Sequence, residues 1–152
     1  MTDHVVTVVE TVATPTQVVP AATTWDEFPH LWGELLGEVW GVLRTSEGAL
    51  PGRNVMLYRD DVPHVEVGAE IGGSFAGSGR VVASTLPAGS SATAISRGAP
   101  SAEGIAAAHA AVVDWCAGNG RELTGVRWEV HEHWRDDQGP DAYEIAVHRL
   151  LR

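Results

Sequence analysis

The side chains best suited to catalysis or ligand binding lie in one stretch of the chain, from Gly125 to Trp134. This stretch alternates two kinds of residue with a period of two, which is typical of a β-strand. One face is apolar, with Trp128, Val130 and Trp134 interrupted by Glu132. The other face carries Arg127, Glu129, His131 and His133. Because an apolar face can serve a core, the face with a carboxylate and two imidazoles is the candidate functional surface.

Carboxylate and imidazole groups on one strand face support two kinds of chemistry. A carboxylate near aromatic rings can attract a cationic ligand, whereas a carboxylate and an imidazole together can orient water and move a proton near neutral pH. His131 and His133 can also supply two zinc ligands, with His148 or Glu144 as a third. No second Cys or His pair supports such a site, so the sequence predicts no metal and no cofactor.

Composition limits the class of protein and its partners. The chain has 152 residues, of which 44% are hydrophobic, so one domain spanning residues 1–152 is expected. A net charge of -10 repels phosphate backbones and anionic lipids, so neither nucleic acid nor a membrane is an expected partner. The N-terminus has no pattern of a secretory signal, and we expect a cytoplasmic protein, monomeric or homodimeric. The single Cys116 is expected to be a small core residue.

The first half of the sequence predicts the order β-β-α-β-β. Thr24 and Glu27 have capping-box spacing, so a helix is expected to begin there, although Pro29 follows closely. Apolar residues at helical spacing indicate one buried stripe. The predicted elements are strands Val5–Val12 and Thr16–Val19, helix Trp25–Leu43, and strands Asn54–Tyr58 and Val65–Ile71.

The second half repeats this order after a glycine-rich connector at about residues 72–79. Its predicted elements are strands Arg80–Thr85 and Ala92–Ser96, helix Ser101–Gly118, the strand from Gly125 to Trp134, and strand Tyr143–Leu150. The motif Tyr58-Arg59-Asp60-Asp61 matches Trp134-Arg135-Asp136-Asp137, 76 residues later, and the helices align at the same offset. We therefore predict a tandem repeat, with one module at about 4–72 and the other at about 80–152.

Two such modules predict an α+β fold with one antiparallel sheet. Both main helices are expected on one face of that sheet. The opposite face, or a cleft between the halves, then remains for a ligand.

Three segments of the second half resemble the gyrase-inhibitor-like (GyrI-like) small-molecule-binding family, whose members also serve as effector domains of some regulators. The segments are Gly79–Gly89, Ala107–Cys116 and Trp128-Glu129-Val130. The resemblance implies a tandem pair of modules with a central pocket for amphipathic, often aromatic or cationic, molecules. Some members are similar to hydrolases of cyclopropane-bearing natural products, so the resemblance leaves both a binder and an enzyme open.

The chain departs from the family pattern at its last strand. Family members commonly have a glutamate there that faces the pocket, and here Ala146 takes its place, with His148 where a tyrosine is usual. His131 likewise replaces a tyrosine after Val130. We expect Glu144, on the same strand face as Ala146 and His148, to restore part of the missing acid. Glu66, together with Glu70, is expected on the analogous face of the first half.

The first hypothesis is a binding protein for an aromatic or cationic small molecule, acting by sequestration or sensing. Its predicted ligand-binding residues are Glu129, His131, His133, Glu144, His148, Glu66, Trp32 and Trp25. The alternative is a hydrolase in which Glu129 or Glu144 orients water and His131 or His148 transfers a proton. A third possibility is an interaction module without a ligand. His109 is expected to be a hydrogen-bonded core residue, and Tyr58 and Trp134 are expected to be structural. Taken alone, each of the glutamates named above can equally be a solvated surface residue.

Overall fold

The structure, a computed structural model, describes residues 4–73, 77–98, 101–133 and 143–152. Its elements follow the predicted order, β-β-α-β-β twice. They are β1 (Thr7–Thr11), β2 (Thr14–Ala22), α1 (Phe28–Leu43), β3 (Ala49–Tyr58), β4 (His64–Gly73), β5 (Val82–Leu86), β6 (Gly89–Arg97), α2 (Ala102–Gly118), β7 (Leu123–His131) and β8 (Glu144–Leu151). The predicted connector falls partly, and the motif beginning at Trp134 falls entirely, outside the described residues.

The eight strands form one antiparallel sheet in the order β1-β6-β8-β7-β3-β4-β2-β5. This confirms the predicted α+β class. If β1 is exchanged with β5, β2 with β6, β3 with β7 and β4 with β8, the result is the same strand order read from the other edge. A two-fold axis between β3 and β7 requires this symmetry. The edge strands are exchanged between halves, because β1 pairs with β6 and β5 pairs with β2. Superposition of the two halves at an offset of 76 stays a prediction.

Both helices lie on the same face of the sheet, as predicted. α1 packs in a buried cluster that includes Met56 of β3, and α2 packs in one that includes Val147 of β8. Strand register puts Met56 opposite Glu129, and Glu129 opposite Val147, so these residues share one face. The helices therefore stand side by side above the central strands.

The opposite face has its own apolar cluster over the centre of the sheet. Its buried members are Val55, Leu57, Leu86, Trp128 and Val130. The apolar side of the β7 strand predicted from the sequence is thus buried on the face that carries no helix. This arrangement directs the Glu129 side of β7 toward the space between the helices.

The helix α1 begins later than its capping pattern predicted. Thr24 does accept a hydrogen bond from the Glu27 backbone N–H through its hydroxyl, at 3.2 Å. Its carbonyl also accepts from the Phe28 N–H, but residues 25–27 form a turn and the helix starts at Phe28. Pro29 sits in the first helical turn, where its missing N–H would have no helical partner anyway. The turn places the Trp25 side chain ahead of the helix.

Candidate functional site

A groove lies between α1 and α2, with the central strands as its floor. Its volume is about 700 Å³, within the range of roughly 300–1,000 Å³ that small-molecule sites occupy. The α1 wall consists of Trp25, Phe28, Pro29, Trp32 and Leu36. The α2 wall consists of Ser101, Ala102, Ile105, Ala106, His109 and Ala110. Ala102, Ala106 and Ala110, spaced four residues apart, have small side chains, so the space between α2 and the tryptophans stays open.

Strand register arranges the face of the sheet beneath the groove in three rows across β3, β7 and β8. The arginine row is Tyr58, Arg127 and Arg149; the middle row is Met56, Glu129 and Val147; the third row is Asn54, His131 and Ile145. Rows on one face are two residues apart, which is about 7 Å. Polar groups of different charge therefore follow one another along the groove.

Glu129 is the central charged group of this floor. It is only 3% exposed, although it lines the groove. Its Oε1 accepts a hydrogen bond from the Tyr58 hydroxyl at 3.2 Å, and its Oε2 lies 2.8 Å from Nε2 of His109. The three groups come from β7, β3 and α2, so the site joins both halves of the sheet and one helix.

The environment keeps Glu129 ionised. Burial alone would raise its pKa, but the hydrogen bond from His109, together with the electrostatic influence of His109 and His131, outweighs burial and lowers the pKa to about 2. Burial, and then the neighbouring Glu129 charge, raises the pKa of Tyr58 well above its usual range. Tyr58 therefore stays a phenol that donates to a carboxylate.

His131 borders the same carboxylate without bonding to it. Its Nε2 is 3.8 Å from Oε1 of Glu129, which exceeds hydrogen-bond distance. Within the described part of the chain, that buried nitrogen has no hydrogen-bond partner. His131 thus offers a polar group to whatever occupies the groove.

The arginine row lies beside the aromatic wall. The guanidinium carbon of Arg127 is 4.7 Å from the Trp25 ring centroid and 5.4 Å from that of Tyr58, both cation–π contacts. Trp25 and Tyr58 are themselves 5.6 Å apart. Arg127 therefore holds the exposed Trp25 ring at one end of the groove.

The structure brings together four of the eight predicted ligand-binding residues. Glu129, His131, Trp25 and Trp32 all line the groove. His133 is exposed, follows the end of β7 and is not among the lining residues. The remaining three, Glu144, His148 and Glu66, do not line the groove with Glu129 as predicted.

Glu144, His148 and Glu66 lie on the other face of the sheet. Register puts His148 opposite Trp128 and Glu66 opposite Leu57, both in the cluster on the helix-free face. Glu144 shares the strand face of His148, because they are four residues apart. The predicted restoration of a pocket acid by Glu144 is therefore wrong. The groove side of β8 is Ile145, Val147 and Arg149, so Ala146 also points away.

Each displaced residue has a partner on that opposite face. Glu66 accepts hydrogen bonds from Arg59 and Ser84. Glu144 pairs with Arg97 at 3.0 Å. The His148 ring stacks on Trp128, with centroids 5.0 Å apart and planes 6° apart. These contacts account for the three side chains without a ligand.

Sequence reasoning missed most of the groove residues, including four whose charged or hydrogen-bonding side chains shape the site. His109 is buried and hydrogen-bonded, as predicted, but its partner is Glu129 and it lines the groove. Tyr58 was assigned a purely structural role and also bonds Glu129. Arg127 was recognised on the correct strand face without a role, and Arg149 gave no signal, since its position depends on the register of β8 against β7.

Among the described residues, no group of three or more His, Cys, Asp or Glu side chains is arranged to hold a metal ion. In the same residues, neither helix is long and apolar enough to cross a bilayer.

Comparison with solved structures identifies the fold. The crystal structure of the EcmrR C-terminal domain matches with a TM-score of 0.78 and 15% identity, over 98% of both chains. SAV2435 bound to tetraphenylphosphonium matches with a TM-score of 0.71 and 12% identity, over 97% of this chain and 93% of that one. A hydrolase encoded by lin2189 of Listeria innocua matches with a TM-score of 0.59 and 9% identity, over 97% of this chain and 91% of that one. No family model and no curated protein matches the sequence. At these identities the similarity shows the fold alone, and this fold is consistent with the GyrI-like resemblance of the sequence.

Proposed function

Since the chain has the GyrI-like fold, we propose that it binds amphipathic aromatic molecules, including cationic ones, for sequestration or sensing in the cytoplasm. The observation that carries the proposal is an ionised, buried Glu129 on the floor of an aromatic-walled groove. A carboxylate held in a partly desolvated site attracts a cation more strongly than one in water. The SAV2435 structure, with its bound organic cation, supports the same use of the fold.

The walls suit a flat or bulky aromatic body. Trp25 and Trp32 are 43% and 40% exposed, although large aromatic side chains are usually more buried. Both line the groove, so a bound ring can cover them and gain the stacking and burial that solvent denies them. The small side chains of α2 leave room for that ring.

The central test uses tetraphenylphosphonium and the neutral triphenylphosphine oxide as matched probes. We expect Glu129→Gln, which keeps the side-chain shape, to weaken binding of the cation by ~1 to 3 kcal/mol, or about 5- to 150-fold. Binding of the neutral probe should change little, because only the charge is removed. Calorimetric titration, checked by quenching of tryptophan fluorescence, measures both affinities.

Glu144→Gln is the matched control. Glu144 faces away from the groove and pairs with Arg97, so this variant should bind both probes like the unmodified protein. Equal cation affinity in all three proteins would remove Glu129 from the mechanism. If neither probe binds the unmodified protein, the proposed binding of aromatic molecules is contradicted.

The hydrolase remains the alternative because one specific contact favours it. Oε2 of Glu129 and Nε2 of His109 are 2.8 Å apart in the groove, as an acid–base pair requires, and two structures with this fold are those of hydrolases from Listeria innocua. In such a reaction, water would lose a proton to this pair while its oxygen opens a strained cyclopropane. The opened ring would retain the electron pair of the broken carbon–carbon bond and take up a proton. The unmodified protein can be incubated with a cyclopropane-bearing electrophile and the mixture analysed by mass spectrometry. We expect no water-added product, and detection of one would favour the hydrolase.

A further inference from the structure

The arginine row contains two cations on adjacent strands. Arg127 of β7 and Arg149 of β8 are directly opposite each other in the register, and both line the groove. Like charges in this cross-strand position repel each other and weaken strand pairing unless something neutralises them.

The charge partner of Arg127 is weak. Its Nη1 lies 3.3 Å from Oδ1 of Asp61, but the Asp61 side chain is 85% exposed, whereas that of Arg127 is only 18% exposed. An ion pair with such an exposed acid is screened by solvent. Asp61 therefore leaves most of the charge at this end of the groove in place.

Arg149 has no direct partner at all in the described part of the chain. It forms no ion pair with any described residue, and its Nε is buried without a hydrogen-bond partner. Burial, and then the charge of Arg127, lowers its pKa to about 10. It is still protonated near neutral pH, so a half-buried guanidinium faces the groove with donors to spare.

We propose that Arg127 and Arg149 form a subsite for a carboxylate, so that the amphipathic ligands of the groove include aromatic acids and zwitterions. This inference rests on the proposed function and specifies its ligand class. A guanidinium presents its N–H groups in a planar fork that fits a carboxylate, and such charge-assisted hydrogen bonds are short and strong. The carboxylate would fill the donors of Arg149 and neutralise the repulsion across the row.

The surrounding groups define the rest of the ligand. Trp25 and Tyr58 flank the subsite, so an aromatic ring attached to the carboxylate has a surface to pack on. Glu129 lies one row further along, about 7 Å away. A zwitterion whose charges are separated by a comparable distance can satisfy both ends of the groove at once.

The test compares 2-naphthoate with 2-naphthamide, which differ in charge but hardly in shape. The unmodified protein should bind the naphthoate at least about tenfold more tightly, the effect expected of a charge-assisted pair. Arg149→Gln should abolish that preference without weakening naphthamide binding. Arg149→Lys, which keeps the charge but loses the fork, should retain an intermediate preference.

Controls separate binding from folding. Because Arg149 lacks a protein partner and faces Arg127, Arg149→Gln should melt at the same temperature as the unmodified protein or higher. Arg97→Gln removes an exposed arginine on the opposite face, where it pairs with Glu144, and should leave the naphthoate preference unchanged. A loss of preference in Arg97→Gln would show that net charge, and not the subsite, selects the anion.

The outcomes also distinguish this inference from the proposed function, because tetraphenylphosphonium is titrated in parallel. Binding of tetraphenylphosphonium or naphthamide, with no preference for naphthoate, overturns the subsite and leaves the binding function standing. A naphthoate preference that Arg149→Gln removes, without any binding of the cation, supports the subsite and overturns cation capture. If no probe binds, both ideas fail.

Discussion

His148 is an imidazole held between an aromatic ring and a serine on the helix-free face of the sheet. It stacks on Trp128, and its Nδ1 is 3.1 Å from the Ser91 hydroxyl. Burial, and then the charges of Arg53 and His109, lowers its pKa from 6.5 to about 4. The folded protein therefore resists protonation of this ring.

The lowered pKa of His148 predicts a loss of stability in mild acid. Between about pH 6.5 and 4 the unfolded chain binds this proton more readily than the folded one, so unfolding becomes easier as pH falls through that window. The free energy of unfolding should therefore decrease from pH 7.5 to pH 4.5 in the unmodified protein. In His148→Gln this decrease should be smaller by about 2 kcal/mol. Urea titrations at both pH values measure the difference.

A matched variant isolates the imidazole. Ser91→Ala removes the hydroxyl partner but keeps the ring, so its acid sensitivity should stay close to that of the unmodified protein. Glu129 does not interfere, because its lowered pKa makes its stabilisation disappear only below about pH 4.5, toward pH 2. Parallel pH profiles for the unmodified protein and His148→Gln would contradict the account.

The same residues show what the sequence can and cannot predict about a site. Alternation along one strand correctly grouped Arg127, Glu129 and His131, because side-chain direction within a strand is a local property. Whether His148 joins them depends on the register of β8 against β7, which local pattern does not contain. The donors to Glu129 were missed for a related reason, since His109 lies on a helix and Tyr58 is 71 residues away.

At the scale of elements, β4 and β2 approach each other closely at Gly68. A Cβ atom at that position would lie 1.9 Å from the Gln17 carbonyl oxygen and 2.8 Å from the Val18 Cα. Both neighbours are backbone atoms of β2, so a side chain cannot simply rotate aside. The glycine therefore permits the contact between two strands beneath α1.

Gly68→Ala should destabilise the protein by about 2 kcal/mol or more, because the paired strands must separate to admit a methyl group. Gly72→Ala in the same strand is the control. Its Cβ would lie 3.7 Å from that of Leu50, an ordinary contact, and alanine is entropically favoured over glycine in a strand. We expect its unfolding free energy, measured in urea, to be unchanged or slightly higher. Equal effects of the two substitutions would show that β2 can move away freely.

The order and type of the elements were predictable, whereas some boundaries were not. Strand and helix periods gave all ten elements, because burial of one face imposes them on the sequence. β2 extends to Ala22, beyond the predicted Val19, since pairing with β4 continues through Pro20. The sequence signal at Thr24 was real but belonged to the turn before α1. Element ends depend on neighbours that a local pattern does not specify.

At the scale of the molecule, the exchange of edge strands joins the two halves more closely than a simple tandem arrangement would. β1 completes the sheet of the second half, and β5 completes that of the first. The central pairing of β3 with β7 also assembles the groove floor and the apolar cluster behind it. Neither the Tyr58–Glu129 hydrogen bond nor that cluster can form within one half.

This connectivity predicts that the halves cannot fold alone. Residues 4–73 would expose one side of β2 and β3 and would carry β1 without its partner β6. Unpaired strand edges and an opened apolar cluster should leave this fragment disordered or aggregated, and the same holds for residues 77–152. In the intact chain, urea unfolding followed by tryptophan fluorescence and by circular dichroism should give coincident transitions. The two fragments, mixed, should regain the groove's ligand affinity only if they reassemble as a heterodimer. A well-dispersed NMR spectrum from either fragment alone, as a monomer, would show that the exchanged edges are dispensable and that each module is its own folding unit.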